Sequence, residues 1–250
     1  DTQAMGARVW LLLGTVCAVR AGIGHFDFIE IGTSNFNTLI GQANGTTHGL
    51  SVEALKFYQD QLPNPVGVTK VNAAVVGEGL TASTLKFFFI HPDDIQRHGL
   101  PDWLKGCNSV LKPHPLGVEQ LAKRSLQQLM RSVDVPALTF TGLVRQEGVS
   151  SVRFLKLDVE GQEAAILESV IDACKKDHAL WPHKILFETA HMNSTAKHTY
   201  LAKLHSHGYV TVPNEDGSIA PRGNDATLRR TDDSAMHTHK GQDIKSSVEK

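Results

Sequence analysis

The chain has 250 residues, 41% of them hydrophobic and 20% charged, which is the composition of a folded globular protein and not of a disordered or fibrous one. Lys and Arg number 25 against 26 Asp and Glu, so no broad basic surface for nucleic acid is expected, and no apolar run reaches the ~20 residues of a membrane-spanning helix. Three cysteines, Cys17, Cys107 and Cys174, are too few and too scattered for a disulfide scaffold or a zinc knuckle.

Met5-Gly6-Ala7-Arg8 precedes the apolar stretch 9–19, VWLLLGTVCAV. With Met5 as a start, residues 5–21 have the shape of a secretory signal, with Val19 and Ala21 at a small-residue cleavage site, and residues 1–24 form a separate extension. The alternative is a buried edge element of the domain. In a secreted chain, Asn44-Gly45-Thr46 and Asn193-Ser194-Thr195 become glycan acceptors, and Cys107 and Cys174 either pair or stay free.

From His25 the pattern is strand, turn, helix, repeated. Strands are predicted at 26–32, 49–53, 68–76, 85–90, 152–159, 184–188 and 208–212. Helices are predicted at 35–42, 54–61, 118–132, 162–176 and 196–206, the second closed by Leu62-Pro63-Asn64-Pro65. The stretch 93–115 is irregular. Residues 93–132, including Trp103 to Asn108, are a candidate substrate cap, and 230–250 read as a polar tail after a single domain at 25–229. Near-continuous apolar strands alternating with helices predict an α/β fold built on a doubly wound, mostly parallel sheet. Ligands in such folds sit at the carboxyl ends of the strands.

The first strand ends Glu30-Ile31-Gly32-Thr33-Ser34. Gly32 permits a tight turn, and the N–H groups after it open a helix. Glu53 follows 21 residues after Gly32 at the end of the second strand, the spacing of a carboxylate that accepts a ribose diol. The chain has no G-x-G-x-x-G, so a pyrophosphate cofactor such as NAD is disfavoured. S-adenosylmethionine, with a ribose diol but no phosphate, suits Glu30, Gly32 and Glu53. In the segment 154–163, FLKLDVEGQE, Asp158 and Glu160 close an apolar strand, Gly161 turns the chain and a helix begins. Strand alternation puts both acids on one side, where they need a cation, a proton or a substrate hydroxyl. Glu163 is read as favouring the first helical turn. The pairs His205/His207 and His237/His239 lack a completing carboxylate or Cys, and no metal site is expected.

The run FLKLDVEGQEAAILES resembles the signature of the FkbM family of S-adenosylmethionine-dependent methyltransferases. Ile29-Glu30-Ile31-Gly32 is similar to that family's first cofactor motif, Val52-Glu53 to its ribose-binding acid, Asn72-Ala73-Ala74 to the segment that holds adenine, and Leu186-Phe187-Glu188 to its fifth strand. The resemblance spans roughly 26–212. It implies a Rossmann-like class I methyltransferase fold, with S-adenosylmethionine on Glu30, Gly32, Thr33, Ser34, Glu53, Asn72 and Ala73. It further implies methyl transfer to an oxygen of a sugar or natural product. Asp158, Glu188 and His191 are candidate bases, His191 because imidazole titrates near neutral pH. Asp158 and Glu188 are also hard oxygen donors that suit a metal. Glu160 faces the transfer site. The expected partner is a small-molecule or glycan acceptor, and the oligomeric state is open. The rival reading is a catalytically silent, methyltransferase-like binding module, favoured by Phe36 where relatives carry a second glycine.

Overall fold

The computed structural model describes residues 24–34, 38–80, 82–213 and 225–231. The signal-like stretch, Cys17, Phe36, His237, His239 and residues 232–250 of the tail lie outside them. The described chain runs β1 (His25–Ile31), α1 (Leu39–Gln42), β2 (Gly49–Val52), α2 (Lys56–Gln61), β3 (Val68–Val71), β4 (Ala74–Val76), β5 (Thr84–Ile90) and α3 (Pro92–Arg97). It continues through β6 (Ser109–Val110), α4 (Pro115–Lys123), β7 (Met130–Thr139), α5 (Phe140–Glu147), β8 (Ser151–Leu157), α6 (Glu163–Lys176), β9 (Lys184–Glu188), α7 (Ser194–Ser206), β10 (Tyr209–Thr211) and β11 (Asp225–Arg230).

Seven strands form one sheet in the order β10-β11-β9-β8-β1-β2-β3. The five from β9 to β3 are parallel, and β11 runs against both of its neighbours, so the sheet is mixed. Its centre is apolar on both faces because both are covered. Ile29, Ile31, Leu155 and Leu157 pack into the main core with Leu143 of α5 and Ile166 and Val170 of α6. Phe28 points the other way, into a smaller core with Leu39, Ile40 and Leu62. Each fully buried side chain of this kind contributes about 1.5–3 kcal/mol. Helix starts are capped in the usual way: Thr38, Thr139 and Asn193 each accept a backbone N–H from the first turn of α1, α5 and α7. Among the described residues no helix is long and apolar enough to cross a membrane.

A second, four-stranded sheet in the order β4-β7-β5-β6 stands beside the first. It accounts for several departures from the sequence reading. The run 68–76 is two strands in two sheets, broken at Asn72-Ala73. The helix expected at 118–132 is α4, which starts earlier and ends at Lys123, and Met130 to Ser132 already belong to β7. Only Val135 of β7 is buried, so its apolar signal is weak. Strand β11 was likewise not anticipated, because only Ala226 and Leu228 of its six residues are buried. Arg230, expected to open the tail, is the last residue of that strand. Cys107 and Cys174 are free and buried, in separate core clusters.

Candidate active site

Strands β1, β2 and β8 end side by side, and the loops that leave them bound an open cleft of about 620 Å³. Phe87 of the second sheet, with Gly106, Asn108 and Val110 from the candidate cap, lines the opposite wall.

Gly32 marks the crossing of two loops. Its φ is +83°, and a Cβ there would lie 1.7 Å from the carbonyl oxygen of Asp158. The Gly32 N–H donates to Val52 O at 3.0 Å and the Asp158 N–H to Ile31 O at 3.0 Å, so the sheet pairing continues one residue past the strands. Only glycine lets the backbones meet this closely.

Glu53 is 5% exposed and lines the cleft. Its Oε1 accepts the Leu55 N–H at 2.7 Å and its Oε2 the Ser34 N–H at 2.6 Å. Each oxygen keeps a further lone pair. Burial raises the Glu53 pKa, and the backbone donors oppose that rise. Asn72 does not line this cleft. Its Nδ2 donates to the carbonyls of Glu53 and Ala54 at 2.8 and 2.9 Å, so it fixes the backbone that presents Glu53. Ala73 lines the apolar side of the cleft with Ala74 and Val75. Ser34 lines it too, with φ +48° and a buried Oγ that has no hydrogen-bond partner among the described residues. Asn108 Oδ1, on the opposite wall, is a second such atom.

Glu30 and Thr33 lie beneath this surface. Glu30 is fully buried: its Oε1 accepts from Lys156 Nζ at 2.9 Å, and its Oε2 accepts the Leu39 N–H at 2.9 Å. Burial raises its pKa against the pull of Lys156. Thr33 Oγ1 is engaged with Ser51 Oγ at 2.9 Å and Val52 O at 3.2 Å. These two side chains shape the loop and are not among the cleft-lining groups.

Strand β8 ends at Leu157, so Asp158 and Glu160 are placed by the following turn, not by strand alternation. Glu160 adopts φ +55°. Glu163, only 1% exposed, holds that turn: its Oε1 accepts the Val159 N–H and its Oε2 the Gly161 N–H, both at 2.9 Å. Asp158 and Glu160 both line the cleft. One oxygen each from Asp158, Glu160 and Glu188 comes within 4.8 Å of the others. Burial, then the charges of Asp158 and Glu163, pushes the Glu160 carboxyl up to about 8. Glu188 is raised as well, first by burial and then by Glu160 and Asp158. Asp158 is also raised by burial, with Lys156 opposing.

His191 follows β9 and reaches the same cluster. Its Nε2 is 2.8 Å from Glu160 Oε2 and 3.7 Å from Glu188 Oε2. The site therefore unites Asp158, Glu160, Glu188 and His191 at one end and Gly32, Ser34, Glu53 and Ala73 at the other. Sequence reasoning missed His114, which sits 4.0 Å from Glu160 and edge-on to His191. The only local signal was His114-Pro115 ahead of a helix. It also assigned no role to Lys156.

Compared with known families, the chain matches the one described as the methyltransferase FkbM domain, over residues 16–211. No curated protein and no solved structure matches it.

Proposed function

Since the chain belongs to the FkbM methyltransferase family, we propose that it is an S-adenosylmethionine-dependent O-methyltransferase acting on a hydroxyl of a sugar or natural product. The sheet order β3-β2-β1-β8-β9-β11-β10, with β11 alone reversed, supports a Rossmann-like class I methyltransferase scaffold. The observation that carries the reading is Glu53: a carboxylate held by two backbone N–H groups, at the edge of an apolar cleft, with lone pairs left for a diol.

The residues present fit this cofactor. Glu53 would accept the two ribose hydroxyls, and Ala73, Ala74 and Val75 offer the flat apolar surface that an adenine needs. Ser34 Oγ and Asn108 Oδ1 are buried polar atoms without partners among the described residues, which a polar ligand in the cleft would satisfy. When bound, S-adenosylmethionine supplies a methyl group made electrophilic by a sulfonium.

The chain's own task is alignment and proton removal. Holding an acceptor oxygen in line with a transferable carbon replaces a costly bimolecular encounter. The cap at 93–132 supplies Gly106, Asn108 and Val110 to the cleft wall and would hold the acceptor against Asp158 and Glu160. Asp158, Glu188 and His191 are the groups positioned to take the hydroxyl proton. Gly32 and Glu163 keep the turns of β1 and β8 in contact so that Glu53 and Asp158 stay on one surface.

The test is release of S-adenosylhomocysteine from the protein mixed with cofactor and a panel of sugars and hydroxylated natural products. Acceptor-dependent release supports the proposal. Cofactor binding without turnover on any hydroxyl acceptor would point to a binding module instead.

A further inference from the structure

Two imidazoles and a carboxylate meet at the rim of the cleft, from segments far apart in sequence. His114 precedes α4, Glu160 follows β8 and His191 follows β9. One donor atom of each lies within 4.8 Å of the others. The pairs His191 Nε2–Glu160 Oε2, His114 Nε2–Glu160 Oε2 and His191 Nε2–Glu188 Oε2 are 2.8, 4.0 and 3.7 Å apart. Two donors on one first-row ion, each at about 2.1 Å, stand no more than about 4.2 Å apart. Within the triad, the His191–Glu160 and His114–Glu160 separations satisfy that bound.

His114 is the independent observation. Its side chain is 5% exposed and its Nε2 is aimed at Glu160 from 4.0 Å, beyond hydrogen-bond reach. Its Nδ1 is buried with no hydrogen-bond partner among the described residues. A cation held between His114 Nε2 and Glu160 Oε2 would bridge two groups that stand too far apart to hydrogen-bond directly.

We propose that His114, Glu160 and His191 bind a divalent first-row transition-metal ion; with His191 on the ion, Asp158 and Glu188 are left to take the acceptor's proton. Two imidazole nitrogens and a carboxylate oxygen suit Zn²⁺ or Mn²⁺, whereas Mg²⁺ and Ca²⁺ prefer all-oxygen shells. Because Glu160 also lines the cleft, the ion would sit where an acceptor hydroxyl or vicinal diol can coordinate it. That role rests on the methyl-transfer reading, but the binding site does not.

The experiment is calorimetric titration of the full chain with ZnCl₂, MnCl₂ and MgCl₂, alongside His114→Ala, His191→Ala and Glu160→Gln. The expected result is a site for Zn²⁺ or Mn²⁺ that binds at least tenfold more weakly in each variant and takes Mg²⁺ poorly. Thermal melting in EDTA should leave the His191→Ala variant close to the parent, and metal should raise the midpoint of the parent alone. Unchanged affinity and stoichiometry across the three variants would overturn the proposal, as would Mg²⁺ binding as tight as Zn²⁺. S-adenosylmethionine binding, measured separately in EDTA, distinguishes the two readings. An ion without cofactor binding sinks the methyltransferase proposal, and cofactor binding without an ion sinks this one.

Discussion

Replacing Gly32 by alanine probes the crossing that brings Glu53 and Asp158 onto one surface. Two costs add. The backbone φ of +83° is one that side-chain-bearing residues resist, at about 1–2 kcal/mol. The new Cβ would also lie 1.7 Å from the Asp158 carbonyl oxygen, half the 3.4 Å at which ordinary contact begins. That oxygen is backbone and cannot rotate away, so the loops must separate. Overpacking of this kind costs about 1–3 kcal/mol. The expected total is about 2–5 kcal/mol, or a fall in Tm of about 4–20 °C for a domain of this size. Gly148→Ala is the control: φ there is +66°, but nothing lies within 4 Å of the built Cβ. Only the backbone cost of about 1–2 kcal/mol remains. Urea unfolding of both variants measures the difference. Equal losses at the two positions would refute the crowding argument. Gly32→Ala should also lose cofactor affinity, since Gly32 and Asp158 both line the cleft, whereas Gly148→Ala should keep it.

Lys156→Met should destabilise the fold by about 3–5 kcal/mol, because it leaves the fully buried Glu30 without its charged partner. The double variant Glu30→Leu/Lys156→Met should recover much of that in chemical denaturation, and a single-variant loss below about 1 kcal/mol would contradict the pairing. Burial pushes the Cys107 and Cys174 thiols up to about 12, so almost no thiolate exists at pH 8. Peptide mass spectrometry after iodoacetamide should find both unmodified in the native protein and both modified in guanidinium. Labelling of either in the native state would show that its core opens.

The parts of the site that were legible in the sequence are those written in consecutive residues. The segment around Asp158 couples an apolar strand, a glycine turn and a helix start, and Glu53 follows Gly32 at a recognisable interval. Glu30 shows the limit of such reading. In a strand buried on both faces, position alone does not separate a cleft-facing acid from one facing a helix, and Glu30 turns toward Leu39 and Lys156. Asn72 looked like a cofactor contact and instead ties down the Glu53 backbone. His114 was invisible because its partners lie on β8 and β9 loops, and nothing in its own neighbourhood encodes that meeting. Strands β7 and β11 escaped because their pairing, not their apolar content, holds them in place.

The claim at the centre is that Glu53 receives the ribose of S-adenosylmethionine. Calorimetric titration of the cofactor into residues 22–250, beside the Glu53→Ala variant, tests it most directly. Hydrogen bonds to a charged group contribute about 1.5–3 kcal/mol, so the variant should bind about 10- to 100-fold more weakly while remaining folded. Equal binding by the two proteins, or no binding to the folded parent at millimolar cofactor, would contradict the account.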